Sequence, residues 1–219
     1  MAALGVQAQR LGAGDEDRGV PGRRRRVVTL LGAYAAVATL GAGLSLWLGH
    51  DPVAFEGAWL GTSGPAAVLV SLGLGVCIGS TTVVVSRVMV RRSAWARSLH
   101  AALRPAVHGA GDASLLAIAI ASAAGEELLF RGLLVPLLGV VVSSLAFGAL
   151  HQIRGPARWG WMAWATVMGF VFGGVFVATG SLAGPVVAHA IINAANLRFL
   201  RDNDPAPRAR ALGGLLRRG

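Results

Sequence analysis

Two adjacent carboxylates and an arginine, Glu126, Glu127 and Arg131, sit inside an apolar run of the length that crosses a bilayer. Upstream, 113–124 is apolar apart from two serines, and downstream 133–142 is apolar again. Ionisable groups at such a depth cost several kcal/mol, so they mark a candidate functional site by default. On a helix Glu126 and Glu127 project about 100° apart and cannot do the same job. Glu127 and Arg131 are four apart with the acid first, the better orientation for an ion pair. An unpaired charge in a low-dielectric interior is costly, so this pair is assigned to structure. Glu126, on a different face, is the candidate general base.

Two later apolar runs repeat the anomaly. His151 closes one of them, four residues after Phe147, and His189 interrupts another, four residues before Asn193. Each pair shares one helical face. A neutral imidazole can hold a water, bind a metal, or donate a hydrogen bond to developing negative charge. Asn193 adds an amide donor one turn from His189, a pairing suited to the oxyanion formed when water attacks an amide carbonyl. Counting about 1.5 Å per residue from the expected helix ends places Glu126, His151 and His189 all within the hydrocarbon layer. His50, His100 and His108 fall in or beside connections, where solvated histidines are ordinary, and receive no role.

The rest of the chain must hold these groups in place. Of 219 residues, 54% are hydrophobic and 14% charged, against roughly a quarter charged in soluble domains. The expected fold is therefore an all-α, polytopic membrane helix bundle. All twenty basic residues are arginine. The net charge of +10 would suit a phosphate backbone, but the arginines fall between and beyond the apolar runs, so nucleic acid is excluded as a partner. The single Cys77 lies inside an apolar run and can build neither a disulfide framework nor a cysteine metal cluster.

About six transmembrane helices are predicted, at 27–49, 65–90, 113–135, 140–150, 161–179 and 182–197, each judged against about 20 residues per crossing. Pro136 and Gly139 break the third from the fourth. The first is read as a retained anchor, since it exceeds a signal-peptide core and no clear cleavage site follows. Within 91–104, Trp95, Leu99 and Leu103 recur on one side and Arg97, His100 and Arg104 on the other. That pattern fits either a short interfacial helix or a solvated extension of the second span. Trp159, Trp161 and Trp164 cluster at a boundary, as aromatic belts do. Residues 1–26 and 198–219 are expected to be disordered cytoplasmic tails around a transmembrane domain at 27–197, with its motif core at 112–197. Arginines crowd the connections before span one and after spans two, four and six, which puts both termini in the cytoplasm of a multi-pass cell-membrane protein.

Glu126-Glu127-Leu-Leu-Phe-Arg131, Phe147-Gly-Ala-Leu-His151 and His189-Ala-Ile-Ile-Asn193 resemble, in order, the three motifs of the CAAX-protease and bacteriocin-processing (Abi) family of intramembrane endopeptidases. Arg131-Gly132 and Ser181-Leu182 are similar as well. The resemblance covers roughly 112–197; the family often has eight spans where six are counted here. It implies that Glu126 and His151 activate the attacking water while His189 and Asn193 stabilise the oxyanion. Both metal-dependent and glutamate-based mechanisms have been ascribed to this family. The residues here favour the metal-free one, since no helix carries two histidines at i and i+4 around a glutamate as zinc proteases do. A zinc ion on Glu126, His151 and His189 is the alternative.

The expected function is an intramembrane endopeptidase acting on a membrane-embedded or membrane-proximal peptide or membrane protein, within the lipid bilayer. Two other classes remain open. One is a catalytically silent membrane protein of immunity or bacteriocin self-protection on the same scaffold. The other is a small transporter, which inverted repeats with paired broken helices would favour and which this sequence lacks. The absence of lysine points to a GC-rich bacterial genome and hence a bacterial plasma membrane, where prenylated CAAX substrates are not expected.

Overall fold

The computed structural model describes residues 20–204. Seven α-helices and one π-helical turn follow in order: α1 Val20–Trp47, α2 Gly64–Arg92, α3 Ala94–Val107, α4 Asp112–Glu127, the π segment Leu128–Leu134, α5 Val135–Leu150, α6 Arg158–Thr179 and α7 Ala183–Asp202. Among the described residues there is no strand, only an isolated bridge between Ala54 and Ser181. The fold is an all-α membrane helix bundle. α1 begins seven residues before the expected membrane domain and α7 continues five beyond it. Residues 1–19 and 205–219 of the expected disordered tails lie outside the described residues.

Among the described residues, four helical stretches are long and apolar enough to cross a membrane: Gly22–Trp47, Gly64–Arg92, Asp112–Leu150 and Arg158–Thr179. The third is 39 residues long, nearly twice one crossing, and it joins the expected third and fourth spans. It doubles back. Phe130 and Phe147 would stand about 25 Å apart on one continuous helix, yet their ring centroids are 4.9 Å apart. The reversal falls at Gly139, whose φ of 78° lies in the region that glycine alone enters readily. Pro136, with no N–H to give the helix, weakens the same turn. The expected sixth span is α7. It falls outside the apolar set because His189, Asn193, Asn196, Arg198 and Arg201 interrupt it, and it packs against α2 and α4 instead.

Close helix approach depends on small residues. A Cβ on Gly79 of α2 would lie 3.1 Å from the Ala188 backbone of α7, so α2 and α7 meet almost backbone to backbone, as small-residue stripes permit in lipid. Nearer the start of α7, Ser71 Oγ donates to Ser181 O and accepts from the Gly184 N–H, both at 2.9 Å. The widened π turn leaves carbonyls for side chains to satisfy. Ser45 Oγ donates to Gly132 O and Ser143 Oγ to Phe130 O, both at 2.8 Å. The π segment was not foreseen from sequence, and such turns often occur at functional sites.

The outside of the bundle is apolar, while its charged Glu127 and Arg131 are held inside. Leu69 is 70% exposed and Val84 63%, whereas Arg131 is 1% exposed and Glu127 fully buried. Its two ends differ as well. At one end Phe55 N–H and Leu182 N–H exchange bonds with Gly180 O and Val53 O across 48–63 and the α6–α7 turn, with no arginine. At the other, Arg23 Nη1 donates to Gly109 O at 2.6 Å and Arg201 meets Asp112 at 2.8 Å. Between α2 and α3 only Ser93 breaks the helix, in an extended conformation. α3 is therefore a separate short helix rather than an extension of α2. His100 is not solvated as expected. It is buried, and its Nε2–H donates to Asn203 O at 2.8 Å, because α3 folds back against the end of α7.

Candidate active site

α4, the end of α5 and the middle of α7 bring five of the six sequence-selected residues, with Arg131 of the π segment, into one buried cluster. Glu127 Oε1 lies 3.0 Å from Arg131 Nη1. The same oxygen lies 2.7 Å from His189 Nδ1, a contact that sequence spacing did not suggest. Arg131 Nη2 also donates to Gly169 O at 3.2 Å, and its guanidinium carbon sits 4.6 Å from the Phe147 ring centre and 5.3 Å from that of Phe172. The ion pair is thus one side of a three-helix junction, and its carboxylate also fixes a histidine.

Hydrogen bonding settles which nitrogen of each imidazole faces inward. His151 Nδ1 stands 2.6 Å from Phe147 O; a carbonyl only accepts, so Nδ1 carries the proton. His189 Nδ1 stands against a carboxylate oxygen and likewise donates. In both neutral rings Nε2 is then a lone pair. Both Nε2 atoms lie 3.8 Å from Glu126 Oε2. That is too long for a direct hydrogen bond and within reach of one shared water. The rings are held by aromatic walls: Phe147 and Trp161 against His151 at 4.3 and 5.5 Å, and Phe172 stacked on His189 at 5.5 Å.

Asn193 Nδ2 donates to Ser122 Oγ at 2.9 Å, and Ser122 Oγ donates on to Ala119 O at 3.1 Å. Ser122 had no role in the sequence reading. Its signal was available, since it lies four residues before Glu126 and so shares that face of α4. The Ser122–Asn193 and Glu127–His189 bonds are two rungs between α4 and α7. Among the described residues no group of three or more His, Cys, Asp or Glu is arranged to hold a metal ion. The chemistry this cluster offers is proton transfer at Glu126 and its two imidazoles, with an amide donor one turn away.

Residues 112–195, which contain the whole cluster, match the family model described as type II CAAX prenyl endopeptidase Rce1-like. That match supports the resemblance of this segment to the CAAX-protease and bacteriocin-processing family. The chain is similar to the uncharacterized protein YpbD of Bacillus subtilis (strain 168), with 41% identity over 69 residues, covering 32% of this chain and 36% of that protein. The chain thus spans about a third of the length of the curated relative it matches. No solved structure matches it.

Proposed function

We propose that the protein is an intramembrane endopeptidase that hydrolyses a peptide bond of a membrane-embedded or membrane-proximal substrate. The observation that carries this reading is the convergence of Glu126 Oε2 and two imidazole Nε2 atoms at 3.8 Å. A water placed between them can donate its two protons to Glu126 Oε2 and His151 Nε2. Glu126 takes the proton of that water as it attacks, and His151, fixed through Phe147 O, orients it. Asn193 uses one amide N–H on Ser122 and has the other for the oxyanion. His189 donates to the oxyanion only when Nε2 also carries a proton, and Glu127 Oε1 at 2.7 Å is the counter-charge for that form. The reading uses no metal. It places the arginine end, with both termini, in the cytoplasm of a multi-pass, bacterial plasma-membrane protein.

The test is Glu126→Gln, which keeps the shape and removes the base. Compared with wild type in native membranes, the variant should be folded and inactive, and it should accumulate uncleaved peptides that proteomics can identify. Wild-type enzyme should keep cleaving one of these peptides after extensive chelation. Turnover by Glu126→Gln would refute the base. Activity abolished by chelator and restored by zinc alone would replace this mechanism with the zinc one. If no peptide accumulates while the variant alters only bacteriocin resistance, the silent immunity reading takes its place.

A further inference from the structure

Glu126 is 7% exposed, His151 3% and His189 4%, so the carboxylate and both rings are shut off from any peptide outside. A peptide reaches them only if a wall moves, a requirement that rests on the protease reading. Three aromatic rings face the two imidazoles, and they differ in freedom. Phe147 and Phe172 are buried and flank the Arg131 guanidinium at 4.6 and 5.3 Å, which pins both. Trp161 is only half-buried and stands 5.5 Å from the His151 ring. It spans from His151 to the apolar cluster of Tyr34, Leu115, Ile118 and Leu197, against which it packs.

Two features leave this ring weakly held. Its indole N–H is buried with no acceptor, and a buried donor without a partner carries a standing cost that exposure to water removes. The ring also lines a pocket of about 80 Å³ between α2, α3, α6 and α7, walled further by Arg87, Leu99, Leu103 and Trp164, which gives it room to turn. The backbone beneath it is fixed. Trp95 of α3 rests on Gly160, within 2.7 Å of where a Cβ would stand, which anchors the first turn of α6 and leaves the motion to the side chain. We propose that Trp161 is the gate of the active site. In the closed position its ring covers His151. Turned into the pocket, it uncovers His151 and Glu126 to an extended peptide arriving from the arginine end.

Diethyl pyrocarbonate acylates the lone pair of a neutral imidazole, which in His151 is Nε2. The full-length protein in detergent would be treated with it at fixed pH, and the modified fraction of His151 followed by peptide mass spectrometry. An open form that is a minor state holds at most about 10% of the molecules, so Trp161→Ala should raise the rate about tenfold or more. Trp161→Leu, a milder truncation, should raise it in the same direction and carries the test if the alanine variant does not fold. Trp164→Ala, which enlarges the same pocket without uncovering His151, should leave the rate unchanged. A His151 rate no faster in Trp161→Ala and Trp161→Leu than in wild type would overturn the proposal, as would an equal rise in Trp164→Ala. Labelling needs no proteolysis, so failure of the gate leaves the Glu126→Gln test of the protease reading untouched.

Discussion

Replacing Glu127 with glutamine tests whether one carboxylate holds both the bundle and a histidine. The perturbation removes a charge and keeps the shape. Arg131 is 1% exposed, so its guanidinium would be left inside the bundle with Gly169 O at 3.2 Å and the faces of Phe147 and Phe172. Breaking a buried pair by removing one partner costs about 3–5 kcal/mol. The glutamine carbonyl still accepts from Arg131 and His189, and the rings still face the cation, so the lower end applies, about 3 kcal/mol. For a chain of this size each kcal/mol moves the melting temperature by about 2–4 °C, which gives a fall of about 6–12 °C. Thermal unfolding in one fixed detergent would measure it. The double variant Glu127→Gln/Arg131→Met removes the stranded charge and should recover much of the loss, because apolar replacement of a buried pair is often nearly neutral. A single variant melting within 2 °C of wild type, or a double variant no better than the single, would refute the argument.

Other outcomes follow from the same geometry. Asn193→Ala should lower turnover by about 10²-fold, the scale of one oxyanion donor. Ser122→Ala only frees the Asn193 amide, so it should cost about fivefold in kcat, the equivalent of one hydrogen bond of about 1 kcal/mol, with KM unchanged. A change confined to KM would place Ser122 with substrate binding instead. Cysteine-labelling reagents added from outside the cell should reach position 56 and fail at 97 and 154; strong outside labelling at 154 would refute the orientation. Burial holds His100 below its ordinary value, reinforced by Arg104 and Arg87 and opposed by its bond to Asn203 O and by Asp204. The unfolded chain therefore takes up a proton there before the folded one does. Stability should fall as pH drops below about 6.5, and His100→Gln should flatten that part of the melting-temperature profile.

What was legible in the sequence was the set of residues too costly to bury without a reason, and the cost itself made them visible. Glu126, Glu127, Arg131, His151, His189 and Asn193 stand out because lipid penalises each of them. Local spacing on a helix also reaches four residues, which is why the Glu127–Arg131 pairing could be read directly. Contacts made across helices have no such signature. The Glu127–His189 bond spans 62 positions and the Ser122–Asn193 bond 71, and both depend on how far α4 and α7 slide past each other. The π turn was hidden for a related reason. Leu128 to Leu134 contains only Gly132 to weaken an α-helix, which does not specify a π turn, and the widening goes with hydroxyl partners from Ser45 and Ser143 that lie far off in sequence. The break at Pro136 and Gly139 was legible as the turn between the third and fourth spans, but a glycine permits a positive φ without specifying the direction in which the next helix returns. Its direction is fixed only by what the returning strand of helix must reach. Phe147 covers Arg131, and His151, one turn further on, faces Glu126. The reversal and the approach of His151 to Glu126 are therefore one structural fact: a straight continuation beyond Gly139 would have carried His151 away from Glu126.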